Sequence, residues 1–237
     1  MKHLGLALSL TGGTAMVTQG ASIGLNLGSG RANASLAPTD EAGVVPQQNW
    51  NNAPGAAGSL AILNSDSGSA SGASVTWATD EQWSVGGTPV DANGILLNGF
   101  VSQNNSGNDS SILFTGIPFV AYDLYVYLSH DRGSEDVILS EGNLAFDPFT
   151  AVENDTAIGS VVTFTQQTMS GVGSGNYVRF ANLTSPTLEL RMSAVDLGPG
   201  TLDRNAISAV QIVQVPEPSA FLLSVLAGMG MIARRKR

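Results

Sequence analysis

The chain has no cysteine, which removes disulfides, thiolate catalysis and cysteine-ligated zinc together. Charge is also scarce: Asp, Glu, Lys and Arg make up 12% of the 237 residues, against about 25% in an ordinary soluble domain. Positive charge is the scarcest. Five of the ten basic residues are Lys2 and the final four, Arg234, Arg235, Lys236 and Arg237. Residues 3 to 233 therefore hold five arginines and no lysine against all nineteen acids, a net −14 where the whole chain has −9. A body that acidic repels phosphate backbones and excludes nucleic acid as a partner. His130 is the sole histidine beyond His3, so a multi-histidine metal centre is excluded as well.

The two ends carry what charge and hydropathy the middle lacks. Met1-Lys2-His3 gives a short positive start, Leu4 to Val17 is apolar or small, and Gly20 and Ala21 supply small residues suited to cleavage. This pattern predicts an export signal over residues 1–21, weakened by Thr11-Gly12-Gly13-Thr14. At the other end Val215-Pro216-Glu217-Pro218 precedes an apolar run, Ser219 to Ala233, that stops on four cations. Fifteen helical residues reach about 22 Å, short of the roughly 30 Å hydrocarbon core, so the predicted transmembrane helix needs thinning or snorkelling flanks. Phe221, Leu222, Leu223, Val225, Leu226, Met229, Met231 and Ile232 surround such a helix instead of lining one face. The terminal cations hold the C-terminus on the cytoplasmic side and leave everything before Pro216 outside.

Val-Pro-Glu-Pro, a short apolar helix and a basic terminus together resemble the PEP-CTERM protein-sorting signal over residues 215–237. The resemblance implies a bacterium with a two-membrane envelope, export by the general secretion machinery, and recognition of Pro216, Glu217 and Pro218 by a membrane-embedded exosortase. That transpeptidase-like cysteine protease would remove the apolar tail and release or reattach the protein at the cell surface. Family members are often linked to exopolysaccharide, biofilm or floc material.

Between the ends, residues 22–214 read as one all-β domain. Strand-like runs cover 23–27, 60–63, 75–78, 112–115, 122–129, 137–140, 161–166, 177–181, 188–192 and 207–213. Tyr122, Leu124, Val126 and Leu128 alternate with Asp123, Tyr125, Tyr127 and Ser129, which predicts a half-buried antiparallel strand. Asn93-Gly94 and Asn98-Gly99 are hairpin-type dipeptides, and 67–72, 104–109 and 169–175 are polar or Gly-Ser loops. No fixed-period repeat occurs, so an antiparallel β-sandwich of jelly-roll type is the expected architecture, with room for a helical insertion in 38–60.

Candidate chemistry is sparse. His130 lies in His130-Asp131-Arg132-Gly133 directly after the strongest strand, a polar turn before it is a catalytic base. Asp80-Glu81, Glu135-Asp136 and Asp196 with Asp203 show no spacing that marks a glycosidase pair. Calcium could be held by such oxygens, but no Asp-x-Asp-x-Asp-Gly loop assigns ligands, and no other cofactor is expected. Trp50 among Gln47, Gln48, Asn49, Asn51 and Asn52 suggests a sugar-stacking surface, with an indole plugging the core edge as the bland alternative. Asp203-Arg204 could clamp a ligand hydroxyl or pair with a neighbouring loop.

Three function classes follow from these residues. The first is a non-enzymatic surface or extracellular-matrix protein with a structural or adhesive sandwich. The second is a carbohydrate-binding module displaying Tyr125, Tyr127 and Trp50 to exopolysaccharide. The third is a secreted polysaccharide-active enzyme.

Overall fold

The computed structural model describes residues 20–103, 110–129, 134–141, 144–145, 149–152, 160–166, 175–192 and 205–216. Along these the chain forms β1 (Ser22–Asn26), β2 (Asn51–Asn52), β3 (Ala57–Leu60), β4 (Ser74–Ala78), β5 (Glu81–Ser84), α1 (Ala92–Asn98), β6 (Gly99–Gln103), β7 (Ser110–Thr115) and β8 (Tyr122–Tyr127). It continues through β9 (Ser134–Glu141), β10 (Leu144–Ala145), β11 (Phe149–Val152), β12 (Tyr177–Leu183), β13 (Thr187–Met192), β14 (Asn205–Ile207) and β15 (Ala209–Gln214). A five-stranded sheet runs β12-β8-β15-β1-β2; a second runs β10-β9-β13-β7-β4-β3 with β11 on β9; a third runs β14-β6-β5. Every pairing between these strands is antiparallel except β1 with β2.

The first two sheets share one core, because alternate residues of their strands are apolar and meet between them. Ile23, Leu25, Leu124, Val126, Val210 and Ile212 come from the five-stranded sheet, and Val75, Trp77, Ile112, Phe114, Leu188 and Leu190 from the other. On β13 the intervening Glu189 and Arg191 point outward and pair with each other at 3.0 Å. From β7 onward, β8, β9, β12, β13 and β15 each lie in the other sheet from the long strand before them, whereas β4 and β7 sit side by side.

The alternation predicted on β8 is present, but its burial is not one-sided. All six residues are buried. Tyr125 and Tyr127 face a second apolar cluster built from Trp50, Leu96, Leu97, Val162 and Val213, so loops and α1 cover the sheet's other face.

Other expectations are corrected by local physics. Asn93-Gly94 is not a hairpin turn: Asp91 caps α1, its Oδ1 accepting Gly94 N at 2.6 Å, and the dipeptide forms the first helical turn. Asn98-Gly99 ends that helix and starts β6, and Gly99 is needed for a different reason from turn geometry. Gly28 packs against it so closely that a Cβ on either glycine would fall on the other's backbone. The 38–60 segment holds no helix; its turns are closed by the Ala42 and Gln47 backbone bridge. Residues 161–166 form no strand beyond one bridge at Gln166, and instead lay Val162 and Phe164 on the second cluster. The 60–63 run ends its strand at Leu60, and Ile62 lies exposed on the following turn. The 207–213 run breaks at Ser208, whose N donates to Tyr127 O and whose O accepts Leu27 N, each at 2.9 Å. That residue carries the chain from the three-stranded sheet into the five-stranded one. Among the described residues no helix is long and apolar enough to cross a membrane; the predicted signal and the apolar C-terminal run lie outside them.

Candidate functional site: the strand that leads into the C-terminal segment

β15 lies between β8 and β1, so its backbone is bonded on both sides. Gln214 pairs with Tyr122 and donates its N to Ala21 O at 2.9 Å, and Val215 N donates to Ala121 O at 3.0 Å. Pro216 has no N–H to continue the ladder and is exposed. The backbone hydrogen bonds thus hold the chain up to Val215, the residue before the first proline of Pro216-Glu217-Pro218. Glu217, Pro218, Arg234, Arg235, Lys236 and Arg237 lie outside the described residues.

The loop expected to offer a sugar platform turns inward. Trp50 is 5% exposed, its Nε1 donates to Ala42 O at 3.3 Å and Gln47 O at 3.2 Å, and its ring meets Tyr127 edge-on with centroids 6.1 Å apart. Gly24 makes room for it, since a Cβ there would approach the indole to 2.5 Å. The amides are spent on backbone groups: Asn49 Nδ2 donates to Asp66 O, and Asn51 donates to Gly24 O and Asn64 O while accepting from Asn64 N. Of the two readings of Trp50 the buried one is found, an indole plugging the core edge with amides on backbone groups, and with Tyr125 and Tyr127 also buried no stacking face forms from these three rings.

What these residues build instead is a buried polar clasp. Tyr127 Oη donates to Gln211 Oε1 and accepts from Val44 N, both at 2.7 Å, and Gln211 Nε2 donates to Val45 O at 2.6 Å and Gln47 Oε1 at 2.9 Å. Asn93 Oδ1 accepts Gly43 N at 3.0 Å, tying the same loop to α1. Burial raises the Tyr127 hydroxyl far above its usual value, outweighing the Val44 N–H, and raises Tyr125 against the opposing pull of Arg179. Gln211 was not marked by the sequence, because a lone glutamine in an apolar strand carries no pattern.

Several carboxylates among the described residues are engaged by backbone or neighbouring side chains. Asp123 receives Arg179 at 2.6 Å on Oδ2 and Asn182 N at 3.0 Å on Oδ1; the hydrogen bond to Asp123 raises Arg179 further. Asp40 accepts Ala37 N, Asp66 accepts Ser67 N, and Glu81 accepts Ser102 Oγ. Among the described residues no three His, Cys, Asp or Glu side chains gather as a metal site. His130, Asp131, Arg132, Asp203 and Arg204 lie outside the described residues. Trp83, on edge strand β5, is the exposed tryptophan at 44%, with the Arg31 guanidinium 4.4 Å over its ring.

Fold and terminus together define an all-β domain whose central strand runs directly into a C-terminal processing segment. Residues 214–237 match the family model for the PEP-CTERM protein-sorting motif, so the chain is an exported protein with an exosortase as its processing partner. No curated protein and no solved structure gives a significant match.

Proposed function

We propose that the chain is a non-enzymatic surface or extracellular-matrix protein whose jelly-roll-type sandwich serves as a structural or adhesive body, delivered by exosortase processing of its C-terminal segment. The observation that carries this reading is the continuity of β15 with the matched motif, which begins at residue 214 while the sheet still holds Val215. The precursor in this reading is anchored in the inner membrane by the apolar run, and the mature body ends at the cell surface or beyond it. Sheet-to-sheet alternation from β7 onward supports the jelly-roll class. Carboxylates engaged in caps, turns and ion pairs support a structural over a catalytic role, and the reading requires no cofactor.

Export and processing are tested by replacing Pro216, Glu217 and Pro218 with alanine and fractionating cells. The variant is expected to accumulate in the inner membrane at full precursor mass, while the wild type moves outward. Equal surface levels would remove the processing claim. The matrix role is tested by washing exopolysaccharide from cultures with and without the gene. Retention in the matrix and a looser matrix in the deletion strain are expected; recovery only in the free medium counts against it.

A further inference from the structure

We propose that the end of the sandwich from which residues 214–216 emerge is a lipid-contacting face, resting on the outer surface of the bilayer while the C-terminal segment is inserted. The inference rests on the anchored-precursor reading above and concerns a surface that reading does not use.

Several segments meet at this end. Gln214 N is bonded to Ala21 O and Val215 N to Ala121 O, so Gly20, the 116–121 turn and the chain's exit are neighbours. Ile117 N donates to Pro186 O at 3.0 Å, and Tyr122 Oη to Ser185 O at 2.8 Å, which brings in the 183–187 turn. Residues 20–22, 116–121, 182–187 and 214–216 contain no charged side chain, and of the chain's nineteen acids only Glu217 follows directly on this end. Asp66 on an adjoining turn and the Asp123–Arg179 pair border the surface.

The 116–121 turn is built to present one apolar residue. Ile117 is buried and Phe119 packs against the main core, which fixes the turn, while Val120 between Phe119 and Ala121 is 71% exposed. On the next turn Ile62 is 62% exposed, and the backbones of Gly72 and Gly116 approach where the two turns meet.

The chain outside the fold decides the occupant. Only Pro216, Glu217 and Pro218 separate Val215 from the apolar run, at most about 10 Å of extended backbone. Once that run enters the bilayer, this end is held against the headgroups, and apart from Glu217 in the tether it brings no charged side chain that would have to be desolvated there. Val120 and Ile62 would bind lipid weakly in a free domain, but the tether makes their contact intramolecular.

The absence of cysteine makes the test clean. Full-length chain carrying Val120→Cys, or Thr88→Cys as a control on an exposed turn distant in sequence, is labelled with an environment-sensitive fluorophore. It is then reconstituted into phosphatidylcholine vesicles containing lipid spin-labelled near the headgroup. Expected is a blue shift and severalfold stronger quenching at Val120 than at Thr88, with quenching at a Pro118→Cys label reduced when Val120→Asp is added. Equal quenching at Val120 and Thr88 in a chain that floats with the vesicles overturns the inference and leaves the anchored reading intact. A chain that does not float removes both. Protection of Val120 that appears only when the exosortase is reconstituted alongside also overturns it, assigning the face to the enzyme instead of to lipid.

Discussion

Tyr127 shows how one side chain ties two layers together. Its ring fills the second cluster and its hydroxyl joins Val44 and Gln211, so a loop 83 residues away is fastened to the central sheet. Tyr127→Phe keeps the ring but strands the buried Gln211 Oε1 and the half-buried Val44 N–H, at a cost of about 1–3 kcal/mol, read by urea unfolding. Because burial keeps the native hydroxyl protonated while the unfolded one ionises near pH 10, the unfolded state binds fewer protons above that pH. This contribution to stability is whole below about pH 10 and falls as pH rises beyond it; a pH-stability curve should show that loss in the wild type and a shallower one in Tyr127→Phe. Trp50→Ala should cost about 3–5 kcal/mol, as for a core aromatic, where a surface platform would lose almost nothing. The residue types around Trp50 were visible in the sequence, but not their direction. Amides that suit a sugar also suit backbone carbonyls, and only the fold reveals which they meet.

At the level of elements, period-two patterns were legible and their surroundings were not. β8 and β13 stand where alternation put them, yet β8 is covered twice because the second cover comes from α1 and loops with no strand periodicity. β5 and β6 carry no alternating pattern: Glu81–Ser84 is polar apart from Trp83, and Gly99–Gln103 mixes glycine and polar residues into a buried strand. Asn93-Gly94 is helical because the Asp91 cap two residues upstream outweighs its turn preference, and Asn98-Gly99 ends that helix instead of turning a hairpin. Gly99→Ala should destabilise by several kcal/mol, since its Cβ meets the Gly28 backbone and no side chain can move aside. The Asp123 carboxylate holds the irregular end of β12, where Asn182 has φ of 60° and the register with β8 shifts. Asp123→Ala should speed hydrogen exchange at Asn182 and cost about 1 kcal/mol, mostly from the lost N–H bond, because Arg179 is 41% exposed and its ion pair is screened.

The whole molecule separates a charge-poor, acidic sandwich from a terminal address. The address was readable from sequence because it is linear: Pro-Glu-Pro, an apolar run and a basic end need no folding to be recognised. Its junction with the domain was not, since nothing in Gln214-Val215-Pro216 says that two of the three are bonded into a sheet. That junction limits where processing leaves a stable product. Loss of everything after Pro216 should leave the melting temperature unchanged, whereas a chain ending before Ala209 lacks the central strand and should not fold. The most direct measurement is mass spectrometry of the C-terminal peptide of protein extracted from the cell surface. The account predicts a chain ending between Pro216 and Ser219, present only when the exosortase is present; a mature surface protein that retains Arg234 to Arg237 would contradict it.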